Sequence, residues 1–97
     1  MNAITVLCDE YPGDEAWKRF VAAFESEWKK RQDQHLYLAV IPDEEFAIVL
    51  SWSMGRDSVN WFMQPCEALS KRTPKDIFEN ESSGRRILRT LLMRMAV

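Results

Sequence analysis

The chain has 97 residues, 46% of them hydrophobic and four of them tryptophan, and its formal charge of −2 divides into −6 over residues 1–70 and +4 over residues 71–97. That is material for one small domain, residues 1–97, near the size below which cores need a partner, and it excludes a disordered chain over most of the length. No apolar run approaches a membrane span and no signal peptide opens the chain, so the expectation is a cytoplasmic homo-oligomer or partner-bound protein that makes no membrane contact.

Met1 to Cys8, with Ile4, Thr5 and Val6, reads as a short strand. A turn at Asp9–Gly13, holding Pro12-Gly13, leads to Asp14 as the cap of a helix reaching about Gln32. Trp17, Phe20, Val21, Phe24 and Trp28 form its apolar stripe, which is read as core. Gln32 to His35 breaks the pattern. Leu36 to Ile41 suits either a buried strand, pairing with Ile4–Leu7, or a helix end. Pro42 followed by Asp43, Glu44 and Glu45 has the chemistry of a first helical turn. That helix runs to about Met54 and closes at Gly55, although a hairpin turning at Pro42–Glu45 also fits.

Asp57 or Ser58 caps the next helix, which carries Trp61 and Phe62 and stops before Pro65. One more turn, Pro65 to Leu69, precedes Thr73-Pro74. There the threonine can cap a helix, the proline lacks a donor that would be unpaired anyway, and Asp76 suits the dipole. Asn80 to Gly84 ends that helix. In the last one, Ile87, Leu88, Leu91, Leu92 and Met95 lie on one face, with Arg85, Arg86, Arg89 and Arg94 off it. Trp61, Leu69, Ile77, Leu88 and Leu91 are expected to be buried together. The fold class is therefore mainly α, a small bundle of short helices, with room for a two-stranded β element in the N-terminal half.

Trp61-Phe62, Pro65, Leu69, Pro74, Ile77-Phe78, Gly84, Ile87, Leu91 and Arg94 stand at ungapped spacing that resembles the toxin-binding domain at the C-terminus of Xre/MbcA/ParS-type antitoxins. The resemblance covers about residues 57–95, so residues 57–97 are read as an antitoxin-like toxin-binding module. It implies a region that docks onto a partner toxin of the RES type, an NAD-consuming enzyme, and blocks its active-site cleft. The first half is shorter and more acidic than that family's DNA-binding domain.

Nothing in the chain reads as an active site. His35 lies next to Asp33 with no nucleophile at readable spacing, and it is taken as a surface histidine. Asp43, Glu44 and Glu45 are consecutive, so on a helix they diverge instead of converging on a metal. Cys8 and Cys66 show no zinc or redox spacing and are read as two buried or half-buried thiols. Gly13, Gly55 and Gly84 form no phosphate-cradling loop. The expectation is a non-enzymatic protein with no cofactor and no metal.

A DNA-binding regulator is the alternative. Phe46 to Phe62, two helical patterns around Gly55, has the outline of a helix-turn-helix. Its recognition helix, however, presents Trp61 and Phe62, is preceded by the single Arg56, and lies in acidic surroundings, which oppose the phosphate contacts DNA requires. A homo-oligomeric structural or accessory protein is the third reading. The candidate partner-binding residues are Arg85, Arg86 and Arg89, whose forks suit carboxylates and phosphates, with Arg94 and Met95 at the helix end. Lying off the apolar stripe, the arginines are expected to matter for binding and not for folding.

Overall fold

The computed structural model describes residues 3–95, which form helices α1 (Ala3–Asp9), α2 (Asp14–Ala22), α3 (Glu25–Lys30), α4 (Gln34–Leu38), α5 (Glu44–Met54), α6 (Asp57–Phe62), α7 (Pro74–Asn80) and α8 (Gly84–Met95). A single 3₁₀ turn, Glu67–Leu69, stands between α6 and α7. The mainly helical fold expected from the sequence is the fold observed.

The segment Met1–Cys8 does not form the strand expected of it, and of the two readings of Leu36–Ile41 the helix end is the one that forms. Residues 3–9 and 34–38 are helical; Met1 and Asn2 of the first segment fall outside the described residues. The β-branched Ile4, Thr5 and Val6 suggested a strand, but packing overrides so small a preference. In α1, Leu7 is buried while Ile4 and Cys8 pack beside it. These positions are one helical turn apart, and α1 lies along α8 and against the 3₁₀ turn. The one β contact among the described residues is an isolated bridge between Cys66 and Arg72.

Helix α5 is the hub. Phe46, Ala47, Ile48, Val49, Leu50 and Ser51 are all buried, so the helix is apolar all round, as expected for one enclosed by others. Helices α2, α3, α4, α6 and α8 all contact it. The helix, and not the hairpin, forms from these residues because its ends are strongly marked. Asp43 is the N-cap, its carboxylate accepting from the Phe46 N–H at 3.3 Å, which leaves Pro42 outside the helix. At the other end Gly55 has φ +59°, a conformation that suits glycine. Neither Asp57 nor Ser58 caps α6: Arg56 stands at the N-cap, and Asp57 is the first helical residue. Ser58 has another role. It is fully buried, and its hydroxyl lies 2.8 Å from the Leu50 carbonyl oxygen and 2.5 Å from that of Gly55, tying α6 back onto the hub.

The helix expected from Asp14 to Gln32 is two helices. At the break the Phe24 N–H donates to the Val21 carbonyl at 2.9 Å, a tightened closure. Trp17, Val21 and Trp28 keep their places in the core. Phe24 is only partly buried at the edge of that core, its ring centroid 5.1 Å from that of Phe20 and 4.6 Å from that of Trp52, on which it stacks.

Between α3 and α4, Arg31 grips Asp33 through two hydrogen bonds of 2.9 and 3.1 Å and donates to the Tyr37 hydroxyl at 2.5 Å. That ring is fully buried, so the short α4 is held by its one core side chain and by this guanidinium.

The C-terminal elements follow their punctuation closely. Thr73 caps α7, accepting from the Asp76 N–H at 3.0 Å, with Pro74 at the helix start. Gly84 has a packing role: a Cβ there would lie 2.3 Å from the Ile77 carbonyl oxygen, so α7 and α8 cross in close contact. Leu69, Ile77, Leu88 and Leu91 are buried as expected, while Trp61 is only half-buried against the same core.

Candidate partner-binding surface

The polar flank of α8 brings the sequence-derived site residues onto one helix, but their surroundings separate them. Arg89 is directed inward, with only 14% of its side chain exposed. One terminal nitrogen donates to the Tyr11 hydroxyl at 3.0 Å and to Asp14 Oδ1 at 3.3 Å. The other donates to Glu45 Oε1 at 3.3 Å, an oxygen that also accepts from the Trp17 indole at 3.1 Å. The guanidinium carbon lies 5.2 Å from the centre of the Trp17 ring. Its Nε is buried without a hydrogen-bond partner among the described residues.

Arg89 thus pins α8 to the α1–α2 turn, α2 and α5 at once, and the side chain expected to be free for a partner is instead engaged within the fold. The reason is geometric. Off the α8 stripe does not mean exposed, because the α1–α2 turn and the start of α5 overhang that side of the helix.

The charges around it respond to one another. Tyr11 donates to Asp14 Oδ1 at 2.6 Å. This hydrogen bond holds the Asp14 carboxyl below its usual pKa, with Arg89 and Arg86 adding to the effect. Burial, and then the same carboxylate, push the Tyr11 hydroxyl above its usual value.

Arg94, half exposed, pairs with Glu10. Arg85 is 62% exposed, with a long ion pair of 3.7 Å to the Asp43 cap and its guanidinium 5.3 Å from the Phe78 ring centre. Arg86 is exposed, lies 6.0 Å from the Tyr11 ring centre and makes no ion pair among the described residues. Met95 is 42% exposed. Arg85, Arg86 and Met95 therefore present themselves to solvent, whereas Arg89 does not and Arg94 is engaged.

Beside the start of α8 lies a groove of about 620 Å³ lined by Ser82, Ser83, Arg85, Arg86, Arg89, Phe78, Asp14 and Glu81. Its acids are already occupied. Asp14 faces Arg89, and Glu81 pairs with Arg72, which also binds Asp76 at 2.7 Å. Those two carboxylates push the Arg72 guanidinium pKa upward, and the Arg72 hydrogen bond holds that of Asp76 below the usual range.

The residues that sequence reasoning missed are Tyr11, Asp14 and Glu45 as Arg89 partners, and Trp52. Tyr11 and Asp14 flank the Pro12-Gly13 turn, a cue to fold but not to pairing. Trp52, 52% exposed, forms a second shallow surface with Phe24, Trp28 and Arg31.

The helix-turn-helix outline around Gly55 does not become a basic reading surface. Arg56 lies 3.4 Å from Asp33, Phe62 and Ser58 are buried, and Asp57 and Asn60 face solvent. His35 is exposed on α4. Among the described residues there is no group of three or more His, Cys, Asp or Glu side chains placed to hold a metal ion, and no helix is long and apolar enough to cross a membrane.

Fold and surface together define a small all-helical domain whose last helix presents a divided arginine flank. No family model, no curated protein and no solved structure matches the chain.

Proposed function

We propose that the chain is a non-enzymatic binding protein, an antitoxin-like module that acts in the cytoplasm by occupying the active-site cleft of a partner toxin of the RES type, an NAD-consuming enzyme. The observation that carries this reading is the agreement between the resemblance pattern of residues 57–95 and the helix breaks. Trp61-Phe62 end α6, Leu69 closes the 3₁₀ turn, Thr73-Pro74 opens α7, and Gly84 lets α8 cross it.

Within that module Arg85 and Arg86 are the working contacts, with Met95 at the far end of the helix. Two exposed guanidinium groups at the start of α8 suit an anion-binding pocket of the kind an NAD-consuming cleft must have. Arg89 and Arg94 serve the reading indirectly, by fixing the helix that carries the other two.

Co-purification of the intact chain from its native host is the test. The expected result is capture of an NAD-consuming enzyme whose NAD turnover stops when the chain is added. Arg85→Glu with Arg86→Glu should weaken that capture by about 2 kcal/mol or more where either group forms a desolvated charge pair. Capture of no such enzyme, or of one that keeps its activity in the complex, would overturn the proposal. Sequence-specific retention of a promoter fragment would transfer it to the DNA-binding reading.

A further inference from the structure

We draw no further inference here: the strongest candidate outside the α8 surface already described, the exposed Trp52–Phe24 face with its shallow groove beside Trp28 and Arg31, carries nothing because nothing in the structure shows what covers it.

Discussion

Arg89 and Arg86 stand three positions apart on α8 and have opposite surroundings. The first is held between Tyr11, Asp14 and Glu45 with its face over Trp17. The second is exposed, with its guanidinium over the Tyr11 ring as its neighbour. The difference teaches how far formal charge is from available charge. The surplus of +4 over residues 71–97 looks like a basic patch facing outward. In the folded chain most of its arginines meet acids, with Arg72 on Asp76 and Glu81, Arg85 on Asp43, Arg89 on Asp14 and Glu45, and Arg94 on Glu10. Four of these six carboxylates come from the acidic first half, so the opposite charges of the two halves serve the contact between them.

The comparison assumes that the apolar stripe beneath both arginines anchors α8. Leu88→Ala tests that assumption and has the largest expected effect, a loss of about 2–5 kcal/mol for a fully buried leucine, measured by denaturant unfolding. Next is the crossing that sets where α8 begins. Gly84→Ala would drive a methyl group to 2.3 Å from the Ile77 carbonyl oxygen, a backbone atom that cannot swing away. The expected loss is about 1–3 kcal/mol, the usual range for overpacking. A neutral result would mean that α7 and α8 separate freely.

The turn before α7 should respond with the opposite sign. Ser70 and Lys71 have φ of +56° and +67°, and the Arg72 N–H closes the turn onto the Leu69 carbonyl at 3.1 Å. The left-handed conformation costs a residue with a Cβ roughly 1–2 kcal/mol, while glycine costs about 0.5–1 kcal/mol in extra chain entropy. Lys71→Gly should therefore raise stability by about 0.5–1 kcal/mol on balance, read as a higher unfolding midpoint. It isolates the loop from α8, whose arginines should be unaffected.

Acid gives the smallest and most diffuse effect. Asp14, Asp33 and Asp76 have folded-state pKa values below their ordinary ones, through hydrogen bonds from Tyr11, Arg31 and Arg72 respectively. A lowered folded-state value means these groups favour the folded chain above the ordinary carboxylate range and lose that contribution as pH falls. Stability should hold steady near neutrality and decline below about pH 4, in an unfolding series across that range.

Much of the C-terminal half was legible in the sequence because its signals are local. Thr73-Pro74-Lys75-Asp76 carries the cap and start of α7 within four residues, and the α8 stripe repeats at one period. Gly55 marked the end of α5 for the same reason. The N-terminal half was less legible because its decisions are made at a distance. Nothing in Ala23-Phe24 announces a break. It forms where the chain can place Phe24 on Trp52 and Trp28 against Tyr37. Ile4 to Val6 become helical through packing on α8, which lies some 80 positions later in the chain. The α8 flank fell between these cases. Helical period separated the arginines from the stripe but could not foresee that the start of α5 and the α1–α2 turn would close over Arg89 and leave Arg86 open.

The most direct test of this division is a pair of unfolding curves, for Arg89→Met and for Arg86→Glu with Arg85→Glu. Removing the cation of a buried ion cluster costs about 3–5 kcal/mol, and less here because the Asp14 side chain is 72% exposed and stays hydrated. Arg89→Met should therefore lose about 2 kcal/mol, with the loss carried by the contact between α8 and the first half. The double variant should unfold within about 0.5 kcal/mol of wild type, as exposed positions do. Equal stability of all three proteins, or a double variant less stable than Arg89→Met, would contradict the account.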